Sequence, residues 1–281
     1  MRVLVTGASG MLGHDLRAAL HGRDVTALGR GELDITDPAA ARRAVAGHDV
    51  VINAAAYTRV DDAEADEDAA YAVNAVGPEN LATAASELGA RLIHLSTDYV
   101  FDGEAHEPYP EDAPTAPRSA YGRTKAAGER LARAAHPSGT SIVRTAWLYG
   151  EHGSNFARTM LRLARERDTW AVVDDQFGQP TWSRDLAHRI VEMIDLDAPA
   201  GIYHGTNSGS TSWFGFAQEI LRDAGLDPDR ITRTDSAAFT RPAPRPAYSV
   251  LGHAGWSRAG LAPLRPWDQA LAEAVRTGAL A

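Results

Sequence analysis

The stretch MRVLVTGASGMLGHDL, residues 1–16, decides how the chain is organised. Its β-branched, apolar start at 2–6 is typical of a buried strand, and the HDLRAALHG that follows the glycines has the apolar spacing of a helix. Between the two lies a G-x-x-G-x-x-G pattern at Gly7, Gly10 and Gly13. A strand, a glycine turn and a helix in this order predict a dinucleotide-binding unit, because the helix N-terminus offers unpaired N–H groups to a pyrophosphate. A strand-to-helix turn without a ligand is the alternative.

The same alternation of strand and helix continues along the first half of the chain. Strands are predicted at 25–28, 49–56, 91–97 and 140–147, and helices at 38–47, 67–89 and 121–136. This order predicts an α/β fold with a Rossmann-like, doubly wound parallel sheet whose strands all end at one edge. The segments GASGMLG, NAAAYT and STDYVF follow three of these strands, so we expect their residues to meet there.

Beyond residue 150 the alternation becomes irregular. Helices are predicted at 153–167, 183–195 and 213–224, a strand at 201–207, and no regular structure in the proline-rich segment TRPAPRPAY at 240–248. We therefore predict two interleaved units. Residues 1–149 and 182–207 would form the dinucleotide-binding domain, and residues 150–181 and 208–281 a smaller C-terminal substrate-binding domain.

The composition excludes several classes of protein. The 281 residues are 44% hydrophobic and 23% charged, as in an ordinary globular protein, and no apolar run approaches the roughly 20 residues of a membrane helix. The start of the chain lacks the layout of a secretory signal, so we expect a cytoplasmic location. The absence of cysteine excludes disulfides and thiol chemistry, and the net charge of −9 argues against a nucleic-acid partner.

A candidate catalytic pair follows in YGRTKAAGERLARAA, where Tyr121 and Lys125 lie one helical turn apart and share a face. Reduction of a ketone by hydride leaves an alkoxide that must be protonated, and a phenol with a pKa of about 10 is a poor acid unless its anion is stabilised. A nearby ammonium lowers that pKa. Thr97, at a strand end, can hold the carbonyl oxygen in line with Tyr121. Without the glycine turn and Thr97, the same spacing would be typical of an amphipathic surface pair.

The choice of cofactor depends on the end of the second strand. The NAD fingerprint expects an acidic residue there, whereas this sequence has Gly29-Arg30, and Arg30 could pair with a 2′-phosphate. We therefore predict NADPH. NADH remains possible because Asp34 and Ile35 follow closely enough to touch the adenosine end, and Arg30 could also be a solvated loop cation.

A longer series of segments resembles the extended short-chain dehydrogenase/reductases, and within them the dTDP-4-dehydrorhamnose reductases. The segments are GASGMLGHDL, LDITD, NAAAYTRVDDAE, STDYVFDG, YGRTKAAGE, RTAWLYG, NFARTMLRLA and DDQFGQPTW, and they cover nearly the whole chain. The resemblance implies NAD(P)H-dependent reduction of the 4-keto group of a dTDP-4-keto-6-deoxysugar, giving dTDP-L-rhamnose.

The resemblance also implies roles for individual residues. Thr97, Tyr121 and Lys125 would be the catalytic trio. The cofactor would be contacted by Gly10, Met11, Leu12, Asp34, Ile35, Ala56, Tyr57, Thr58, Leu95, Tyr121 and Lys125, and the sugar nucleotide by Thr97, Asp98, Trp147, Asn155 and Phe156. Trp147 suits this role because a flat ring after a strand end can pack on a sugar or base, although core packing would also explain it.

Two features limit what the resemblance implies. Some members of the family bind Mg²⁺ at a dimer contact through acidic residues, and Asp15 matches one such position in type. We predict no metal for the chemistry, and leave open a structural Mg²⁺ site at Asp15 and the choice between monomer and homodimer. The segment Ala247-Tyr248-Ser249 lacks the Asn that relatives tend to carry before the Ser, so a related deoxysugar of secondary metabolism is an alternative substrate.

Other functions are disfavoured by particular residues. The related 4,6-dehydratases carry Thr-Asp-Glu at the strand end, where this chain has Tyr99 and so lacks the carboxylate that the elimination needs. Epimerases lack the wider series of motifs. A non-catalytic, nucleotide-binding regulatory subunit remains an alternative, but a scaffold has no chemical need of Thr97, Tyr121 and Lys125 together.

Overall fold

The computed structural model describes residues 1–280. In the first half, strands and helices alternate because β-branched apolar runs are separated by alanine-rich segments with helical apolar spacing. In chain order the elements are β1 (Arg2–Thr6), α1 (Met11–Ala19), β2 (Asp24–Leu28), α2 (Pro38–Val45), β3 (Val50–Asn53), α3 (Glu67–Tyr71), α4 (Gly77–Leu88), β4 (Arg91–Thr97), α5 (Ala120–Ala135) and β5 (Thr140–Thr145).

The second half consists of shorter strands and five further helices. They are β6 (Leu148–Tyr149), α6 (Phe156–Glu166), β7 (Trp170–Val173), β8 (Phe177–Gly178), β9 (Thr181–Trp182), α7 (Ser183–Asp195), β10 (Ile202–His204), β11 (Asn207–Ser208), β12 (Thr211–Ser212), α8 (Trp213–Asp223), β13 (Ile231–Thr234), α9 (Ala254–Arg258), β14 (Leu264–Pro266) and α10 (Trp267–Arg276). Within residues 1–280, none of the helices has both the length and the apolar character needed to cross a membrane.

Six strands form one sheet in the order β10-β5-β4-β3-β1-β2, and every neighbouring pair is parallel. The α/β fold with a doubly wound parallel sheet is therefore confirmed. The order of strands reverses between β1 and β3, and ligands of such sheets bind in the crevice at this point, beyond the carboxyl ends of the strands.

Several elements differ from those predicted. The strands predicted over 49–56, 140–147 and 201–207 end earlier, at Asn53, Thr145 and His204. The helix predicted over 67–89 is divided by a π-helical turn at Ala72–Val76. At this turn α5 approaches so closely that a Cβ on Gly128 would lie 2.0 Å from the carbonyl oxygen of Asn74.

The apolar core has three main parts. One lies between the sheet and the packed pair α1 and α7, and a second covers the other face under α2 and α4. The third lies in the second half of the chain, around α6, α8 and α10. The helix α7 and the strand β10 come from the second half but pack with the main sheet, within the predicted dinucleotide-binding unit. The division into two domains stays a prediction.

Candidate active site

The glycine turn, Gly7, Gly10 and Gly13, joins the end of β1 to the start of α1. Gly7 has a φ of +70°, and a Cβ there would lie 2.5 Å from the backbone nitrogen of Ala55. A Cβ on Gly13 would lie 2.4 Å from the carbonyl oxygen of Gly7. The turn therefore depends on glycine, because three backbone segments approach one another without room for side chains.

The start of α1 leaves backbone donors unpaired. Gly10 is the N-cap residue and supplies no side-chain cap, so the first N–H groups of the helix, beginning at Met11 and Leu12, lack intrahelical acceptors. These donors lie at the positive end of the helix dipole, beside the switch point of the sheet. The residues present thus fit the pyrophosphate of a dinucleotide cofactor.

The adenosine side of this crevice is more polar than the sequence alone indicated. Arg30 is exposed after β2, and Asp34 accepts hydrogen bonds from the Thr36 hydroxyl at 2.7 Å and its N–H at 2.9 Å. These bonds, with a smaller contribution from Arg30, lower the pKa of Asp34. Sequence reasoning missed Glu32, whose Oε2 accepts from the Gly29 N–H at 2.8 Å. An acidic side chain therefore stands beside the end of β2.

The remaining residues assigned to the cofactor lie in two places. Ala56, Tyr57 and Thr58 form the loop after β3, where the Asn74 side chain accepts from the Tyr57 N–H at 2.8 Å and donates to the Tyr57 carbonyl at 3.1 Å. Ile35, by contrast, is buried against α4, and a Cβ on Gly77 would come 2.5 Å from its Cδ1. The Ile35 side chain is therefore a core group.

Thr97 and Tyr121 meet at the end of β4. Thr97 is buried, and its hydroxyl donates to Asp98 Oδ1 at 2.9 Å. The Tyr121 ring lies edge-to-face with Tyr99, with 5.6 Å between ring centroids. Burial raises the pKa of Tyr121 to about 12, and the neighbouring Thr97 hydroxyl acts in the opposite direction. The phenol is therefore protonated at neutral pH.

Lys125 is buried one turn further along α5. Its Nζ donates to the Leu95 carbonyl at 2.6 Å and lies 3.4 Å from His94 Nε2. Burial lowers the pKa of Lys125 to about 8, with Glu129 acting in the opposite direction. In the part of the chain that the structure describes, no hydrogen bond joins Lys125 to Tyr121. The two residues lie one turn apart on α5, and the hydrogen-bond acceptor of the lysine is a β4 carbonyl.

A buried ion pair supports this corner of the sheet. Arg144 on β5 makes two bonds to the Glu129 carboxylate, at 2.9 and 2.7 Å, and the Ser96 hydroxyl donates to the same carboxylate at 2.5 Å. All three side chains are buried. Because a buried carboxylate needs such partners, these contacts fix α5 relative to the end of β4.

Asp98 is also buried beside the candidate trio. Burial raises its pKa to about 6, and the hydroxyl of Ser249, the largest of the opposing influences, lies against it. Ser249 also belongs to the C-terminal chain that pairs with β8, since its N–H donates to the Phe177 carbonyl at 2.8 Å. The segment Ala247-Tyr248-Ser249 therefore reaches the candidate site.

Trp147 and Phe156 meet through a third ring that the sequence analysis missed. Trp147 stacks on Trp213, with 3.5 Å between centroids and 8° between planes, and Phe156 lies 4.5 Å from Trp213. Trp147 has a φ of +47°, and a Cβ on Gly178 would lie 2.5 Å from its ring. We call Trp147, Phe156 and Trp213 the aromatic cluster. The aromatic run at the start of α8 was the available sequence signal.

Asn155 has an evident structural role. It is the N-cap residue of α6: its Oδ1 accepts from the Arg158 N–H at 3.0 Å, and its Nδ2 donates to the Gly150 carbonyl at 2.9 Å. Both ends of the amide are therefore used within the chain. Its predicted contact with the sugar nucleotide stays a prediction.

Asp15 lies on α1, facing the start of α7. The Ser183 hydroxyl donates to its Oδ2 at 2.5 Å, and burial raises the pKa of the carboxyl. Within residues 1–280 there is no group of three or more acidic or histidine side chains arranged to hold a metal ion.

The fold and the site together define a nucleotide-dependent oxidoreductase of the extended short-chain dehydrogenase/reductase type. The chain belongs to the family described as RmlD substrate binding domain, whose model matches residues 1–279.

Three known proteins illustrate the similarity. A dTDP-4-dehydrorhamnose reductase of Streptomyces griseus is 55% identical over 280 residues, which cover 97% of this chain and 92% of the relative. A probable dTDP-4,6-dihydroxy-2-methyloxan-3-one 4-ketoreductase of Streptomyces antibioticus is 53% identical over 98% of this chain and 94% of its own length. The structure of a dTDP-4-dehydrorhamnose reductase of Bacillus anthracis in complex with NADP has a TM-score of 0.94 at 38% identity, covering 98% of this chain and 99% of that one.

Proposed function

We propose that this chain catalyses the NADPH-dependent reduction of dTDP-4-dehydro-L-rhamnose, at its 4-keto group, to dTDP-L-rhamnose. The observation that carries the proposal is that Thr97, at the end of β4, and Tyr121, at the start of α5, lie together at the sheet edge that also carries the glycine turn. Relatives that are named dTDP-4-dehydrorhamnose reductase and match nearly the whole of this chain support the choice of substrate.

The residues of the chain divide the work between binding and proton transfer. When bound, the cofactor supplies the hydride that, with one proton, converts a ketone to a secondary alcohol. Tyr121 donates that proton to the carbonyl oxygen, and Thr97 orients both oxygens. Because the phenol has a pKa of about 12, it keeps its proton until an alkoxide, a much stronger base, begins to form. Lys125 lies one turn away on the same helix, where its ammonium form is the active one because a cation can stabilise the anion of Tyr121.

NADPH is the preferred cofactor in this proposal. Arg30 is exposed beyond β2, where it can approach a 2′-phosphate, and the Bacillus anthracis relative binds NADP. Glu32 stands beside the same strand end and could accept from a free 2′-hydroxyl, so we propose that NADH is used less well. The proton transfer described above requires no metal ion.

A second candidate substrate is a related dTDP-4-keto-deoxysugar of secondary metabolism. The Streptomyces antibioticus relative is named as a probable 4-ketoreductase of another compound at nearly the same identity. The Ser249 hydroxyl acts on the pKa of Asp98, and its nearness to the candidate site supports a role of residues 247–249 in substrate choice. Parallel assays of several dTDP-4-keto sugars, each with NADPH and NADH, distinguish the two candidates.

Replacement of the proton donor tests the mechanism. Tyr121→Phe should lower kcat by about 10²- to 10⁴-fold, since it removes a positioned general acid, and should leave NADPH affinity nearly unchanged. The rate is followed by the loss of reduced-nicotinamide absorbance. Tyr71→Phe is the matched control, because Tyr71 is 39% exposed on α3 and should be neutral. Normal turnover by Tyr121→Phe would contradict the mechanism. If the unmodified chain binds the cofactor tightly but shows no turnover, the alternative of a regulatory subunit is favoured.

A further inference from the structure

Lys125 lies at one end of a buried chain of hydrogen bonds that crosses three strands. The Thr6 hydroxyl on β1 donates to Asn53 Oδ1 at 2.7 Å, and the Asn53 side-chain nitrogen lies 3.0 Å from His94 Nδ1. The other ring nitrogen of His94 lies 3.4 Å from Lys125 Nζ. None of these four side chains is more than 2% exposed. The glycine-turn strand is thus linked to the candidate catalytic lysine.

The orientation of the Asn53 amide is fixed by its neighbours. The backbone N–H of Ala55 can only donate, and it points to Asn53 Oδ1 at 3.1 Å. The oxygen of the amide therefore faces Ala55 and Thr6, and its NH₂ group faces His94. The reversed orientation would set two donors against each other in a buried site, which is strongly unfavourable.

The amide in turn fixes the tautomer of His94. Since Asn53 donates to Nδ1, this nitrogen must carry a lone pair, and a neutral imidazole then has its hydrogen on Nε2. The ring is neutral because burial, followed by the charge of Lys125, holds the pKa of His94 well below its usual value. The Nε2–H therefore faces Lys125 Nζ.

This arrangement distinguishes the two protonation states of the lysine. A neutral amine can donate to the Leu95 carbonyl and accept from His94 Nε2–H at the same time. An ammonium group has three donors and no acceptor, so it can satisfy Leu95 but opposes the N–H of His94.

We propose that Asn53 holds His94 in its Nε2–H tautomer, and that this N–H, facing Lys125 Nζ, favours the neutral amine over the ammonium form. His94 is then a positioning residue, which acts on the reaction only through Lys125. The depressed pKa of Lys125, caused first by burial, agrees in direction. Besides His94, the charged group that acts on Lys125 is Glu129 on α5, which is engaged by Arg144 from β5, and Tyr121 one turn away is a neutral phenol.

The tautomer can be measured directly by ¹⁵N NMR of the histidine rings in the unmodified chain. The His94 resonances are identified by their absence from the spectrum of His94→Gln. We expect a protonated Nε2 and an unprotonated Nδ1, with no titration of the ring at neutral pH. A ring that carries its hydrogen on Nδ1, or that is a cation at neutral pH, would overturn the inference, and this result does not depend on any activity.

Asn53→Asp should reverse the tautomer. The new carboxylate can accept from Ala55, from Thr6 and from a hydrogen on Nδ1, which leaves the lone pair of Nε2 facing Lys125. The NMR spectrum of the variant should then show a protonated Nδ1. If Asn53→Asp retains the Nε2–H form, the proposed role of Asn53 is contradicted. If Asn53→Asp does not fold, the spectrum of the unmodified chain decides.

The effect on turnover rests on the proposed function, in which the ammonium form of Lys125 is the active one. The rate should fall as the pH rises through the pKa of Lys125, near pH 8. Asn53→Asp should move this alkaline limb upward by about one pH unit or more. His94→Gln, whose amide can accept from Asn53 and donate to Nζ, should leave the limb near its original position.

A double variant separates the tautomer from the added charge. Asn53→Asp with His94→Leu keeps the carboxylate but removes the imidazole, so most of the upward shift should disappear. If the full shift persists, the charge alone is responsible and the inference fails. If no dTDP-4-keto sugar is reduced at all, the proposed function fails while the tautomer measurement stands.

Discussion

We call the region around Gly7, Gly13 and Ala55, where the cofactor is proposed to bind, the cofactor edge. The cofactor edge and the aromatic cluster are stabilised in different ways. At the cofactor edge, the backbone segments that follow β1 and β3 and the start of α1 lie so close together that no Cβ fits at Gly7 or Gly13. Buried hydrogen bonds of Asn53 also join these segments. The aromatic cluster instead uses partly exposed flat rings from three separate segments, with Trp147 stacked on Trp213 and Phe156 tilted by 49° against Trp213. A backbone contact accepts no added atom, whereas a stack accepts another ring. This difference would let substrate preference change among relatives while the cofactor edge stays the same.

The largest expected effect tests the backbone contact. Gly7→Ala places a Cβ 2.5 Å from the Ala55 nitrogen at a residue whose φ is +70°, so strain and overlap add. We expect a loss of about 3 kcal/mol in the free energy of unfolding, measured by urea denaturation, together with weakened NADPH binding.

Gly22→Ala is the matched control, since Gly22 has a similar φ of +83° but no atom lies within 4 Å of its added Cβ. It should cost only about 1 kcal/mol, the strain of the left-handed backbone alone. Equal losses in the free energy of unfolding for the two variants would show that close backbone approach at the glycine turn does not matter. The contrast drawn between the cofactor edge and the aromatic cluster would then be wrong for the cofactor edge.

An intermediate effect tests the aromatic cluster. Trp213→Leu keeps an apolar side chain but removes the flat partner of Trp147, whose strained backbone at φ +47° is then less well held. A stacked pair contributes about 0.5–1.5 kcal/mol, so KM for the dTDP-4-keto sugar should rise up to about tenfold. The KM for NADPH should not change, because the cluster belongs to the other region.

Trp213→Phe retains a ring and should recover most of the affinity for the sugar nucleotide. Steady-state kinetics with each substrate varied in turn gives both constants. If Trp213→Leu raises both KM values equally, the two regions are coupled and should be considered one site.

The same contrast explains what the sequence could predict. The strand, the glycine turn and Tyr121 with Lys125 are short patterns in which neighbours along the chain are neighbours in space, so their type and spacing suffice. His94 and Trp213 act through residues far along the chain, and nothing in LIHLST or STSWFG shows which partner each will meet. The hydrogen-bond acceptor of Lys125, the β4 carbonyl of Leu95, could not be predicted from the sequence for the same reason.

The smallest expected effect concerns Arg30, and it tests how finely the cofactor edge selects its ligand. Arg30 is exposed, so a contact with a 2′-phosphate is screened by water and contributes at most about 1 kcal/mol. Arg30→Gln should raise KM for NADPH about fivefold and leave KM for NADH unchanged. Arg17→Gln removes the same charge from the exposed last turn of α1 and should alter neither constant. An equal change for NADPH and NADH would make Arg30 a solvated cation, and Glu32, fixed on the Gly29 N–H, would then be the residue that sets the preference. The selectivity should be modest in either case, because an arginine and a carboxylate stand at the same strand end and favour different forms of the ribose.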